Sequence, residues 1–202
     1  RDREALTEPA NLAIIDPTEG IADLARNIIR ATTKHSFSSD PLRMLRVFRF
    51  AATLGFQVDQ ATFSQVVKQR ETISRSAVER VSYELDLILL SERASDVVDE
   101  LARSGLLFVI VPELEAGKGM EQPASHHLDV FEHSLATLQC MEKVQREPAV
   151  YFPKYTEEMV KYIARDNNRL QLRWAALLHD LGKPVTVTID EDRGGRITFY
   201  NH

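Results

Sequence analysis

Apolar residues recur every three or four positions along most of the chain, which predicts a mainly α-helical fold. The clearest pattern runs from Ser39 to Gly55. Ser39 and Asp40 can cap a helix, and Pro41 suits its first position. Gly55 can close the far end. Within this predicted helix an apolar stripe lies beside a basic line: Leu42, Leu45, Phe48 and Ala52 beside Arg43, Arg46 and Arg49.

Similar patterns predict further helices on both sides of a segment with loop composition at residues 116–123, where we place a domain boundary. These helices are predicted at residues 59–70, 76–90, 94–104, 129–145, 156–165 and 169–181. Apolar and polar residues alternate between residues 185 and 200 around Gly194 and Gly195, which predicts a small β-hairpin. A turn at residues 16–24 is predicted to open a short helix that reaches about residue 30.

The apolar run at residues 12–15 is predicted to be a single strand, but the sequence shows no partner strand for it. A lone strand cannot form a domain. We therefore interpret the chain as part of a longer protein whose preceding sheet lies upstream.

Composition fits a protein with an ordinary core, because 44% of the 202 residues are hydrophobic. The single cysteine, Cys140, excludes an internal disulfide and fits a reducing cytoplasm. No apolar run approaches membrane-spanning length, so we expect no membrane partner. The net charge is −5, yet residues 26–80 contain ten Lys and Arg against four Asp and Glu. Positive charge is therefore concentrated around the predicted Arg-rich helix.

Asp40 and Arg43 stand three residues apart where this helix begins, so both side chains can point to one spot. A carboxylate accepts hydrogen bonds from an exocyclic amine, and a guanidinium donates to ring nitrogens or carbonyl oxygens. The pair can therefore meet the edge of a nucleotide base. A helix cap combined with an intrahelical ion pair explains the same spacing.

The run SSDPLRMLRVFRFAATLGF, which contains both residues, resembles the neck helix of the bacterial tRNA nucleotidyltransferase and poly(A) polymerase family. The resemblance implies that Asp40 and Arg43, with Arg46 beside them, bind the base of an incoming ATP or CTP. The family's usual glutamate is Ser39 here, a departure that bears on the hydrogen-bond support of Arg43. The expected partners are nucleoside triphosphates and the 3′ end of a tRNA or another RNA.

The segment before the neck helix has two interpretations: it is an ordinary strand-turn-helix connection, or it is the hinge of the same family. The family resemblance assigns the hinge to Asp16, Gly20, Asp23 and Arg30. It also places the catalytic head domain, with carboxylates for two Mg²⁺ ions, upstream of the hinge. We therefore expect nucleotidyl transfer to need that head domain. The segment after residue 75 resembles the next family motif, and we expect Glu79 and Arg80 to support the neck helix.

His133, His179 and Asp180 form a second candidate site, because imidazole and carboxylate groups suit a divalent transition metal. The alternative to a metal ligand is a structural role, in which a histidine at a helix end is simply hydrogen-bonded to its neighbours. Three segments resemble, in this order, motifs of the HD superfamily of metal-dependent phosphohydrolases: HHLDVFEHSL, LLHDLGKP and FYNH. The resemblance implies three metal ligands in this cluster, a phosphate-neutralising Lys183, and His202 as a further site residue. His127 either lines this site or caps a helix.

HD domains complete the metal shell with an aspartate from a later helix, and the chain ends before such a residue. We therefore expect weak metal binding or none. The predicted organisation is a head and hinge remnant at residues 1–32, a helical neck and body at residues 33–115, and an incomplete helical HD domain at residues 120–202.

Three functions remain open on the sequence. The first is part of an enzyme that adds nucleotides to RNA, the second a stand-alone HD phosphohydrolase, and the third a non-catalytic helical RNA-binding module. The choice between CCA and poly(A) addition, the identity of the metal and the oligomeric state also stay open.

Overall fold

Helices make up most of the residues that the computed structural model describes, namely 15–120, 127–165, 167–190 and 196–199. The predicted mainly α-helical fold is confirmed. The first part contains α1 (Gly20–Ala25), β1 (Ile28–Ile29), α2 (Ser36–Ser39), α3 (Arg43–Leu54), β2 (Gln57–Val58), α4 (Gln60–Gln69), a 3₁₀ helix (Arg70–Arg75), α5 (Val78–Leu90), α6 (Ala94–Ser104), α7 (Leu106–Ile110) and α8 (Pro112–Ala116).

The second part begins with α9, whose N-terminus is closed by a capping box between Asp129 and Glu132. Its elements are α9 (Val130–Arg146), α10 (Pro148–Tyr151), α11 (Thr156–Ala164), α12 (Asn168–Leu178), α13 (Lys183–Thr186), β3 (Val187–Asp190) and β4 (Arg196–Phe199). Among the described residues, no helix has both the length and the apolar character needed to cross a membrane.

The predicted C-terminal hairpin is present as antiparallel strands β3 and β4, with Val187 opposite Phe199 and Ile189 opposite Ile197. Its predicted glycine turn lies outside the described residues, as do residues 12–14 of the predicted single strand. A parallel pair that the sequence did not reveal joins β1 to β2, with Ile28 opposite Gln57.

Four predicted helix boundaries were wrong by two residues or more. α5 begins at Val78 instead of residue 76, and α12 ends at Leu178 instead of residue 181. The helix after the first turn ends at Ala25 instead of near residue 30, because Asn27 adopts a left-handed conformation (φ 56°) that redirects the chain into β1. The Arg-rich helix begins at Arg43, two residues later than expected, because Pro41 lies in a preceding turn closed by the Arg43 N–H and the Asp40 carbonyl (3.1 Å). Its C-terminus at Gly55 (φ 70°) is as predicted.

Helix α3 lies at the centre of the first part and packs against α5 and α6. Met44, Leu45 and Phe48 are fully buried on its inner face, and Phe48 meets Phe63 edge to face at 6.2 Å. The outer face carries the arginines. Burial of this one stripe therefore fixes which side of α3 faces solvent.

The hydrophobic core continues from the first part into the second, where Leu138 of α9 and Leu177 of α12 join it. The segment predicted as a boundary is also attached to α9. The Gly117 carbonyl accepts the N–H of Phe131 at 3.2 Å, and the Gly119 N–H donates to Asp129 at 2.8 Å. The two predicted units thus pack closely, and the domain division at this segment stays a prediction.

Candidate functional site

Asp40 adopts an extended conformation just before α3, and both of its carboxylate oxygens have partners. Oδ1 accepts the N–H of Leu42 at 3.2 Å. Oδ2 lies 3.6 Å from Nη2 of Arg80, which α5 supplies. The Asp40 side chain nevertheless keeps 27% of its surface exposed. Asp40 therefore caps the turn into α3 and pairs with a residue far away in sequence instead of with Arg43.

Arg43 is exposed and is held by uncharged acceptors. Its Nη1 donates to the carbonyl of Ser36 and to Oγ of Ser39, both at 3.3 Å. Ser39 thus supports Arg43 where the family's usual residue is glutamate. Because neither acceptor carries a charge, the positive charge of Arg43 is not cancelled by these bonds.

A groove of about 400 Å³ opens beside α3, and we call it the Arg43 groove. Its lining combines three guanidinium groups with apolar side chains, among them Arg30, Arg43, Arg46, Phe37, Val47 and Phe50. Such a lining offers apolar contact and charge-assisted donors on the same wall. The predicted nucleotide-binding residues Arg43 and Arg46 therefore share one cavity, whereas Asp40 is not among the residues that line it.

Glu84 of α5 is a buried carboxylate that sequence reasoning missed. It is 3% exposed and accepts Nε of Arg46 at 2.8 Å and Nε of Arg49 at 2.6 Å. The signal in the sequence was a single acid on the apolar face of α5, beside Val81 and Leu85. An acid in that position needs a cationic partner, since a buried unpaired charge is costly.

The four predicted hinge residues lie together around α1. Asp16 accepts the N–H of Ile21 at 2.9 Å and that of Gly20 at 2.8 Å, and these bonds hold the pKa of Asp16 below its ordinary value. Arg30 donates through Nε and Nη2 to the two oxygens of Asp23, both at 2.8 Å. This bond with Asp23 raises the pKa of Arg30. Arg30 also lines the Arg43 groove, which connects the hinge to α3.

His133, His179 and Asp180 come together at one end of α9 and α12. The Nε2 atom of His179 lies 3.1 Å from Oδ2 of Asp180 and 3.3 Å from Nε2 of His133. Nε2 of His133 lies 3.6 Å from the same carboxylate oxygen. One candidate ligand atom from each residue lies within 4.8 Å of the other two, which is a spacing that one metal ion can bridge.

The surroundings of His179 fit a metal ligand. Its Nδ1 lies 3.0 Å from the carbonyl of Ala176, which can only accept, so the contact favours the tautomer that donates from Nδ1 and binds a metal through Nε2. Asp180 is 3% exposed, so its carboxylate is shielded from water. The donor set therefore fits a divalent transition metal.

Three further residues were predicted for this site: Lys183, His127 and His202. Lys183 donates from Nζ to Oδ2 of Asp180 at 2.7 Å, so it lies directly beside the cluster. His127 is exposed and precedes the capping residue of α9 by two positions. His202 lies outside the described residues. The roles of all these residues as ligands stay predictions.

Two family models match the chain in the same order as these sites. A model described as the probable RNA and SrmB binding site of polymerase A matches residues 55–118. A model of the HD domain matches residues 130–202. The first match begins where α3 ends, and the second covers the histidine cluster.

Curated relatives match nearly all of the chain. The A-adding tRNA nucleotidyltransferase of Deinococcus radiodurans is 36% identical over 195 residues, which is 94% of this chain and 40% of that protein. The multifunctional CCA protein of Pseudomonas aeruginosa is 34% identical over 196 residues, which is 94% of this chain and 42% of that protein. The chain thus spans about two-fifths of the length of these relatives.

Solved structures share the fold. A tRNA nucleotidyltransferase in complex with a primer tRNA and an incoming ATP analogue superposes with a TM-score of 0.58 at 22% identity, over 83% of this chain and 42% of that one. A tRNA-processing enzyme with CTP gives a TM-score of 0.52 at 22% identity, over 83% of this chain and 43% of that one. Together with the relatives and the two matched models, this fold confirms the resemblance: the chain belongs to the tRNA nucleotidyltransferase and poly(A) polymerase family.

Proposed function

We propose that this chain is the nucleotide-selecting and RNA-binding part of an enzyme that adds nucleotides from CTP or ATP to the 3′ end of a tRNA or another RNA. The names of the relatives from Deinococcus and Pseudomonas support this activity. In this proposal a head domain carries out the Mg²⁺-dependent nucleotidyl transfer, and the enzyme acts in the cytoplasm.

One observation carries the proposal. Of the three guanidinium groups that line the Arg43 groove, Arg30 is paired with Asp23 and Arg46 with Glu84. Arg43 has no carboxylate within ion-pair distance in the ranges that the structure describes, and its acceptors are a carbonyl and a hydroxyl. A cation that is positioned but not neutralised is a ready donor for a base edge.

Asp40 supplies the complementary acceptor in this proposal. Its contact with Arg80 at 3.6 Å orients the carboxylate without covering it, because 27% of the side chain remains exposed. The carboxylate accepts from an exocyclic amine of the base, while Arg43 donates to the neighbouring ring atom. Cytosine and adenine both carry such an amine next to an acceptor nitrogen, so one acid and one guanidinium can accept both.

Replacing Arg43 with Ala in the complete protein tests the proposal. We expect kcat/KM for both triphosphates to fall by roughly tenfold or more, which is the effect of losing about 1.4 kcal/mol of base recognition. The preference for these two triphosphates over UTP and GTP, whose bases lack an amine next to an acceptor nitrogen at that edge, should weaken as well. The control is Arg75→Ala, which removes an exposed arginine from the 3₁₀ helix, outside the lining of the Arg43 groove. Unchanged rates and preference in Arg43→Ala would contradict the proposal.

The cluster of His133, His179 and Asp180 supports a second candidate function, an HD-type phosphohydrolase. A divalent metal held there would supply Lewis-acid chemistry toward a phosphoester. The chain's own contributions are the Nδ1 proton of His179, fixed on the Ala176 carbonyl, and the cation of Lys183 beside Asp180. These groups orient the ligand set and neutralise phosphate charge.

Metal binding can be measured without any assay of activity. Titrating the chain with Mn²⁺, and following the loss of the free-ion paramagnetic resonance signal, should show one weak site, because the cluster offers three ligands. His133→Ala should weaken it by roughly tenfold or more, because a ligand is lost. His35→Ala removes an exposed histidine elsewhere and should leave the site unchanged. Equal binding by the two variants would exclude this cluster as the metal site.

A further inference from the structure

A second groove lies on the other side of Arg46, between α3 and α5. It has a volume of about 340 Å³ and is lined by Arg46, Arg49, Phe50, Tyr83, Glu84 and Leu87. We call it the Tyr83 groove. It shares Arg46 and Phe50 with the Arg43 groove, so the two cavities are neighbours along one face. A ligand that fills the Arg43 groove therefore lies next to the Tyr83 groove.

The Tyr83 groove presents two aromatic rings that the core does not use. Tyr83 is 63% exposed and Phe50 is 40% exposed. The Arg49 guanidinium lies 3.9 Å from the centre of the Phe50 ring, which is a cation–π contact. Aromatic rings and a guanidinium plane beside a cavity are the surfaces on which unpaired nucleic-acid bases stack.

The charge of the groove favours an anionic chain. Arg46 and Arg49 share the single carboxylate of Glu84, so this group of three side chains carries one net positive charge. Both contacts use the Nε atom, and within the described residues no other hydrogen bond from the two guanidiniums is found. The Nη groups therefore remain available as donors to phosphate oxygens. Glu84 positions them without neutralising both.

We propose that the Tyr83 groove is a stacking subsite for an unpaired base at the 3′ end of the RNA. This inference rests on the proposed function, since it assigns the RNA end to the cavity beside the one proposed for the incoming base. Tyr83 provides the stacking surface, Phe50 under Arg49 provides the adjoining wall, and Arg46 and Arg49 contact the phosphate next to that base. Stacking tolerates any base, so the subsite holds the RNA end without selecting its sequence.

A fluorescent base at the end of a short RNA measures this contact. A single-stranded RNA with 2-aminopurine as its 3′-terminal base should bind the complete protein with quenched fluorescence, because stacking quenches that base. Tyr83→Ala should weaken binding by roughly 5- to 100-fold and restore the fluorescence of the bound base. Tyr83→Phe should retain both affinity and quenching. Phe50→Leu, which keeps an apolar side chain but removes the ring, should lose part of the quenching.

The control variant is Tyr155→Ala, since Tyr155 is exposed to 62% but lies outside the groove, before α11. It should bind like the unaltered chain. An otherwise identical RNA whose terminal nucleotide lacks its base should bind Tyr83→Ala and the unaltered chain equally.

The outcomes separate the two proposals. If Tyr83→Ala binds the RNA with the same affinity and the same quenching as the unaltered chain, the stacking subsite is overturned. The RNA-binding function is then still supported. A complete protein that fails to bind the RNA at all would overturn both proposals.

Discussion

Glu84 shows how one buried side chain decides the positions of two others. Arg46 and Arg49 both extend from α3, and a carboxylate on α5 holds each of them through Nε. The 38 and 35 residues that separate Glu84 from its partners explain why the sequence alone did not reveal the pairs. Helical spacing predicted an arginine line on α3, but it carries no information about an acid on another helix.

Glu84→Gln tests the importance of this carboxylate. We expect a loss of about 2 kcal/mol in the free energy of unfolding, because Gln offers one acceptor oxygen to two guanidiniums and removes the buried charge that compensates them. Urea denaturation measures it. Glu79→Gln changes an exposed acid on the same helix and should cost less than about 0.5 kcal/mol. Equal losses in the two variants would show that the shared carboxylate adds nothing to stability.

At the next scale, α9 and α12 hold the turn between α5 and α6 through buried charges. Glu142 of α9 accepts the N–H groups of Ala94 and Ser95 at 2.8 and 3.2 Å, where α6 begins. Arg173 of α12 is 1% exposed and donates to the carbonyls of Leu89 and Ser91, where α5 ends. A negative charge thus meets a helix N-terminus, and a positive charge meets a helix C-terminus.

Replacing Arg173 with Met should cost about 3 kcal/mol of stability, because it leaves two carbonyls and the nearby Glu142 without their buried cation. The comparison is Arg169→Gln, which removes a half-exposed arginine that pairs with Glu92. That change should cost less than about 1 kcal/mol. Chemical denaturation of both variants measures the two losses in the free energy of unfolding. A small loss in Arg173→Met would mean that packing alone holds the turn.

The N-terminus of α1 should respond to pH through Asp16. Its pKa is lowered by the N–H groups of Ile21 and Gly20, so this stabilisation is present above the ordinary carboxyl pKa of about 3.9 and is lost as the pH falls through the lower folded pKa. Amide exchange protection at Gly20 and Ile21 should therefore decrease below about pH 4. In Asp16→Asn the protection should not change over this range. A decrease of the same size in the variant would show that another group titrates.

Elements were predictable where local signals were strong. α6 occupies the predicted residues because an apolar stripe ends at Gly105, and α9 begins one residue after the predicted start. The pairing of β1 with β2 was not predictable, since each strand has two residues and the pair depends on the chain returning after α3. α1 was predicted too long because Asn27 was not recognised as a stop signal, although Asn adopts the left-handed conformation more readily than most residues.

At the scale of the whole molecule, the candidate nucleotide site and the candidate metal site are linked by one continuous core. Trp174 of α12 donates from its indole to Asp86 of α5 at 2.7 Å, which places the only tryptophan of the sequence at the junction. The sequence predicted two successive units from a change in composition. It could not predict this packing, because the buried charges and apolar contacts across the junction join residues far apart in the chain.

A shared core should unfold in one step. We expect urea unfolding followed by Trp174 fluorescence to coincide with unfolding followed by far-ultraviolet circular dichroism. If the tryptophan transition precedes the loss of helix, the two parts unfold separately and the junction is not a structural core. Asp86→Ala, which removes the partner of the indole, is the matched variant for assigning the fluorescence change.

A double-mutant cycle between the protein and the base tests whether Asp40 and Arg43 select the triphosphate. In the complete protein, kcat/KM is compared for ATP and for purine riboside triphosphate, which lacks the 6-amino group, with and without Asp40→Ala. We predict that the amine contributes roughly tenfold or more in the unaltered protein and nothing in the variant. If Asp40→Ala lowers kcat/KM equally for both triphosphates, Asp40 does not contact the base and the claim fails.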